Sequence, residues 1–296
     1  MNGIINVLKP NNMTSFDVVA YLRKVIGVKK IGHTGTLDPM ACGVLPVCIG
    51  KATGVVDYIL NSNKTYVSEI TFGIDTKTQD KFGEVLKIYN NTATKEEIKR
   101  AIHSFEGFYM QTPPMYSAIK INGKKLCDLA RKGQEVYREP RKVGIKNIEV
   151  VNIQENKKAI FRCEVTKGTY IRTLCYDIGQ KLGVGANMSF LVRTKVGNFD
   201  IKDSMTLEEI TKQKKMGEIS KCIVSTDYVL DCYPKVTIAK SDEYKFLNGN
   251  FIEYSNISGL DNGLVRVYNI RGDFLALGDI IKRQGVMFIK PKKMFV

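Results

Sequence analysis

"GHTGTLDPMACGVLP", residues 32–46, places three glycines and two prolines around one histidine, His33, and one carboxylate, Asp38. "VKKI" before it and "VLPVCIG" after it read as short extended segments, and Lys51 to Leu60 reads as a helix, so the local order is strand, loop, strand, helix. Glycines permit backbone angles closed to other residues, and Pro39 fixes its own φ. A loop of this kind can aim a lone acid at a substrate. The plainer reading is that Asp38-Pro39 opens a turn, since Asp before Pro does so commonly.

Mixed α and β elements extend outward from this loop. "GIINVLKP" predicts a strand ending at Pro10, and Thr14 or Ser15 caps a helix with Phe16, Val19, Leu22 and Ile26 on one face, closed by Gly27. "KTYVSEITFGID" alternates at period two and "GEVLKIY" is a candidate partner for it. "TKEEIKRAIHSF" and "TLEEITKQKKMGEI" open with capping-box pairs, Thr94 with Glu97 and Thr206 with Glu209. "GIKNIEVVNI" and "AIFRCEVTKG" alternate around the polar turn "QENKK", as an antiparallel hairpin does, and "TYIRTLCYDIGQKLG" follows as a helix closed by Gly183. From Tyr233 the pattern becomes all-β, "GLVRVYNI", "DFLALGDII" and "VMFIKPKKMF", which suggests a compact barrel of about 60 residues.

The 296 residues carry 45 Lys and Arg against 30 Asp and Glu, a formal charge of +15 that favours a polyanionic partner, nucleic acid first. A Lys-rich proteome with a well solvated surface explains the total equally. Location discriminates: residues 120–146, within an exposed insertion over about 113–146, hold nine Lys and Arg and three acids. No apolar run is long enough to cross a bilayer and no secretory signal is visible, so a cytoplasmic protein is expected. Seven scattered Cys and two distant His lack zinc-ligand or disulfide spacing. "GKAT" at 50–53 fails the phosphate-loop pattern, because Leu45 and Ala52 occupy positions that require Gly and Ser or Thr.

"GHTGTLDPMACGVLPVCIGKAT" resembles the signature of the TruB family of tRNA pseudouridine synthases. The likeness continues in order through "INVLKPNNMTSFDVV", "KTYVSEITFGIDTKTQD", "QTPPMYSAIKINGKKL", "LARKGQEVYREPRKV", "TKGTYIRTLCYDIG" and "FLVRTKVGNF", covering almost the full chain. The resemblance implies a mixed α/β (α+β) fold: a catalytic domain over 1–232 with a mainly antiparallel central sheet and a thumb at about 113–146, and a small PUA-like β-barrel over 233–296. It also implies an isomerase that detaches the T-loop uridine of tRNA at N1, turns the base and rejoins it through C5.

Each site residue then acquires an expected role. Asp38 attacks the sugar or acts as base at C2′, a choice the sequence leaves open. Tyr66 stacks on the flipped base, Arg172 pairs with Asp38, Tyr170 is a second site tyrosine and Leu191 an apolar pocket wall. His33 wedges into the RNA loop, and Lys124, Lys125 and Arg131 in the thumb meet phosphates. Taken alone, Tyr66 would be an ordinary strand aromatic and Leu191 a core residue. No metal and no cofactor are implied; the expected partner is the tRNA T-arm, without membrane contact, and the protein is expected to be a monomer. Lys51, Gly54, Cys127, Thr166 and Val192 depart from common family residues without removing a catalytic group. An RNA-binding or tRNA-folding protein with little or no catalysis is the competing class. Guide-RNA-dependent, dyskerin-type relatives are disfavoured by the thumb.

Overall fold

The computed structural model describes residues 1–254 and 262–296. The chain opens with β1 (Gly3–Lys9), buried almost throughout, and α1 (Ser15–Ile26). Thr14 caps α1 by a complete capping box: its hydroxyl accepts from the Asp17 amide at 3.0 Å and the Asp17 carboxylate accepts from the Thr14 amide at 2.9 Å. Gly27 at φ 80° closes it. The inward face is Ser15, Val18, Val19, Leu22 and Ile26, so Val19, Leu22 and Ile26 face inward as expected, whereas Phe16 is 64 % exposed and Ser15 takes the inward place beside it. β2 (Ile31–His33) and β3 (Cys42–Ile49) flank the glycine-rich loop. The expected helix at 51–60 is half 3-10 turn (Gly50–Val55) and half α2 (Val56–Asn61), because Gly50, Gly54 and adjacent valines are weak α-formers.

The central part runs β4 (Lys64–Phe72), β5 (Ile74–Thr76), β6 (Val85–Ile88), α3 (Lys95–His103), β7 (Gly107–Gln111), β8 (Lys120–Ile121), β9 (Lys124–Lys125) and α4 (Leu126–Arg131). It continues through β10 (Arg141–Gln154), β11 (Lys158–Val165), α5 (Ile171–Leu182), β12 (Ala186–Val196), β13 (Phe199–Asp200) and α6 (Leu207–Lys215). Its nine-stranded sheet has the order β1-β3-β12-β4-β11-β10-β7, with β2 on β3 and β13 on β12. Every pairing is antiparallel except the short β12–β3 contact, Val192 opposite Cys42 and Arg193 opposite Gly43. β6 pairs with β5 and not with β4, whose two edges are already taken by β12 and β11. The expected hairpin of β10 and β11 is present.

Two cores position the site. On one face α5 and α3 bury Ile70, Phe161, Leu174 and Ile178. Near β1, α1 and α6 bury Ile5, Leu22, Leu45 and Leu207, where truncation to Ala would cost about 2–5 kcal/mol per residue.

The C-terminal part comprises β14 (Lys235–Thr237), α7 (Lys240–Leu247), β15 (Ile252–Glu253), β16 (Gly263–Tyr268), β17 (Phe274–Arg283) and β18 (Val286–Met294). The five strands follow the order β14-β16-β17-β18-β15 around Val236, Phe246, Val265 and Ile289. The all-β reading therefore missed α7, which buries only Phe246 and so carries almost no periodic apolar signal. Leu277 and Phe295 join Ile4, Val44, Val55 and Val196 in a shared core, which docks this sheet on the larger part.

Candidate active site

Side chains from three elements hold the loop that carries Asp38. From α1, the Ser15 hydroxyl accepts from the Leu37 amide at 2.9 Å. From β1, the Lys9 ammonium donates to the carbonyls of Pro10 at 2.9 Å, Met13 at 2.5 Å and Pro39 at 3.3 Å, and Asn12 adds its amide to the Pro39 carbonyl. From β12, the Arg193 guanidinium donates to the carbonyls of Val44 at 2.7 Å, Gly35 at 3.2 Å and Thr36 at 3.5 Å. Both cations are fully buried, which pushes the Lys9 pKa down to about 8. Carbonyl ligands satisfy them, so the loop around the acid is braced on both sides.

Gly43 makes the close approach of β3 and β12 possible. It sits at φ 115°, and a Cβ there would lie 2.2 Å from the Arg193 carbonyl oxygen.

Asp38 itself remains 30 % exposed at the side chain, with Oδ1 3.6 Å from Nη2 of Arg172. Burial raises its pKa, the Arg172 guanidinium opposes that rise, and Asp80 adds to it. Asp80 is a residue that the sequence reading missed. It is buried, with Oδ2 3.9 Å from Nη1 of Arg172, and its Oδ1 accepts from the Thr78 hydroxyl at 2.7 Å and the Phe82 amide at 3.0 Å. The turn bearing it is pinned to β12 by the Met188 amide on the Gln79 carbonyl and the Lys81 amide on the Met188 carbonyl, both 3.0 Å. Arg172 also donates to the Tyr116 carbonyl, and its Nε has no protein partner among the described residues.

Tyr66 projects from β4 into the same core cluster as Leu37, Ile171 and Leu191. Burial raises the pKa of its phenol, Arg193 lowers it and Asp38 raises it, so these groups feel one another. The Tyr170 ring lies 5.8 Å from the Arg172 guanidinium carbon, and its hydroxyl is also held neutral by burial, with Asp38 among the contributing charges. Leu191 is 5 % exposed. Half-buried His33 ends β2, its Nδ1 accepts from the Gly35 amide at 3.3 Å, and burial lowers its pKa, which favours neutral imidazole.

The structure thus brings Asp38, Arg172, Tyr66, Tyr170 and Leu191 together and keeps His33 in the adjoining strand. Lys124, Lys125 and Arg131 are exposed on the β8–β9 hairpin and α4, where Leu126 is buried, and among the described residues they make no hydrogen bond or ion pair with Asp38, Arg172, Tyr66 or Tyr170. Arg131 lies 3.5 Å from Asp128. At the end of the expected insertion, Arg141–Ile145 pair with Gln111–Gly107 in the main sheet, so Arg141 and Lys142 stand on a strand of that sheet. Among the described residues no group of three His, Cys, Asp or Glu is placed to hold a metal ion, and no helix is long and apolar enough to cross a membrane.

Comparison with known proteins sets this geometry in a family. The "TruB family pseudouridylate synthase (N terminal domain)" profile matches residues 23–171, and the "tRNA pseudouridylate synthase B C-terminal domain" profile matches residues 172–231. Proteins named tRNA pseudouridine synthase B from Clostridioides difficile (45 % identity, 100 % of each chain) and Clostridium tetani (46 %, 98 % of this chain and 99 % of that one) are similar throughout. Among solved structures, a chain of a Cbf5-Nop10-Gar1 complex superposes with TM-score 0.76 at 31 % identity, over 99 % of this chain and 85 % of that one. A chain of an H/ACA RNP bound to a substrate RNA containing 2′-deoxyuridine does so with TM-score 0.75 at 28 % identity, with the same coverage. On the profile matches, the full-length relatives and the shared fold, the chain belongs to the TruB family of pseudouridylate synthases.

Proposed function

We propose that this protein is a stand-alone tRNA pseudouridine synthase that isomerises a uridine in the T-loop. The observation that carries the reading is the partly exposed Asp38 carboxylate held against Arg172 beside the buried Tyr66, in a chain whose full-length relatives bear that name. The reaction breaks N1–C1′, turns the base and forms C5–C1′; the C5 proton leaves to solvent and N1 gains one. Atoms balance with no redox change, and neither metal nor cofactor enters the proposed scheme.

Asp38 serves as an ionised carboxylate, either attacking C1′ or removing the C2′ proton, and Arg172 keeps it charged and oriented. Tyr66 receives the base that leaves the RNA stack, Tyr170 and Leu191 line the pocket, and His33 fills the gap left in the loop. Lys124, Lys125 and Arg131 contact T-arm phosphates. Catalysis is assigned to residues 1–232, with the thumb at about 113–146, and a PUA-like RNA-binding role to 233–296. The enzyme works as a monomer in the cytoplasm.

The test is tritium release from a tRNA transcript labelled at uridine C5, beside a transcript whose T-loop uridine is replaced by cytidine. Release from the first and its loss from the second supports the reading. Tight binding to both without release identifies an RNA-binding protein, and equal release from both places the target elsewhere.

A further inference from the structure

Three helices cap themselves: α1, α3 and α6 each start with a Thr hydroxyl on the third amide and an acid on the cap amide, Thr14 with Asp17, Thr94 with Glu97 and Thr206 with Glu209. α5, which carries Arg172, does not. Its cap residue is Tyr170, whose side chain makes no capping bond, and Arg172 in the first turn places a cation against the positive end of the helix dipole.

What takes the place of the box is Gln111, 59 residues away at the end of β7. Its Oε1 accepts from the Tyr170 amide at 2.8 Å and its Nε2 donates to the Tyr170 carbonyl at 3.0 Å. The second Nε2 proton faces the Tyr109 hydroxyl. The reversed amide would set N–H against N–H, so this orientation is the one that satisfies both groups. Gln111 is 2 % exposed, and the Tyr170 carbonyl still accepts from the Leu174 amide at 3.0 Å. The side chain therefore fixes one peptide residue from two directions at the point where α5 leaves the loop. Arg172 follows two residues later, in reach of Asp38, Asp80 and the Tyr116 carbonyl. The same chain that leaves Gln111 supplies that carbonyl five residues on.

We propose that Gln111 is a positioning residue: by clamping the Tyr170 backbone it sets where Tyr170 and Arg172 stand relative to Asp38. This rests on the reading of Asp38 and Arg172 as the reacting pair. Misplacing a catalytic group by about 1 Å is enough to cost on the order of a hundredfold in rate, while RNA affinity, spread over many phosphates, is left alone.

The test compares wild type, Gln111→Ala and Gln111→Glu by single-turnover tritium release and by tRNA Kd, below the melting temperature of each protein. Gln111→Glu still accepts from the Tyr170 amide but cannot donate to its carbonyl. The expected result for Gln111→Ala is a rate at least tenfold lower with Kd within threefold of wild type, and for Gln111→Glu a rate between the two. A smaller fall for Gln111→Ala, a larger change in Kd, or a Gln111→Glu rate no better than that of Gln111→Ala overturns the proposal. Should Gln111→Ala not fold, Gln111→Glu decides alone: at least a threefold fall in rate at unchanged Kd supports the clamp, and a smaller fall overturns it. Failure of wild type to release tritium would instead overturn the proposed function.

Discussion

Arg172 stands between two carboxylates, Nη2 3.6 Å from Asp38 and Nη1 3.9 Å from Asp80. Neither approach is a tight hydrogen bond, and the guanidinium is also shared with the Tyr116 carbonyl. Asp80 is pinned by Thr78 and the Phe82 amide, so it acts as the fixed side of the pair and Asp38 as the side open to substrate. Asp80→Asn keeps the shape and removes the charge that anchors Arg172. Turnover is expected to fall at least tenfold with tRNA affinity within about threefold, read as a change in kcat without a matching change in Kd.

The thumb assignment makes an electrostatic prediction. Replacing Lys124, Lys125 and Arg131 together by Glu should weaken tRNA binding and flatten its salt dependence, by about 0.7 to 0.9 in log-log slope for each phosphate no longer neutralised. Filter binding across a salt series checks this, and an unchanged slope would remove these residues from the interface.

Asp177, on α5, has its pKa raised by burial from 3.8 to about 6. Between those values the folded protein holds a proton that the unfolded chain has released, so stability falls as pH rises through this window and levels off about one pH unit above the folded pKa. Asp177→Asn removes the titration. Its melting temperature relative to wild type should therefore climb from pH 4 to about pH 7 and then stay constant; a difference independent of pH would contradict the shift.

Gly43→Ala should destabilise the fold by about 3 kcal/mol or more, since it combines a left-handed φ with a Cβ driven into the Arg193 backbone. Denaturant unfolding measures it. A loss below about 1 kcal/mol would show that β3 and β12 can separate at little cost.

Much of the site was legible because local chemistry marks it. A single acid among glycines and prolines stands out, the capping boxes at Thr14, Thr94 and Thr206 are short-range patterns, and Gly27 and Gly183 end helices where expected. What escaped is long-range. Asp80 sits in "TKTQDKFGE", which reads as a polar turn until β12 and Arg172 are brought to it. Gln111 and Tyr170 are joined only by the fold. β4 accepts β11 and β12 on its edges from nearly a hundred residues or more downstream, so "GEVLKIY" pairs only with the end of "KTYVSEITFGID", Ile74 opposite Ile88 and Asp75 opposite Lys87. α7 was invisible because one buried Phe246 makes no period.

The central claim is that Asp38 performs the chemistry and does not grip the RNA. Its most direct test is C5 tritium release from a tRNA transcript by wild type and by Asp38→Asn, with Kd measured on the same preparations. The account predicts release by wild type, none by Asp38→Asn, and affinities within a few fold of each other; release at a comparable rate by Asp38→Asn would contradict it.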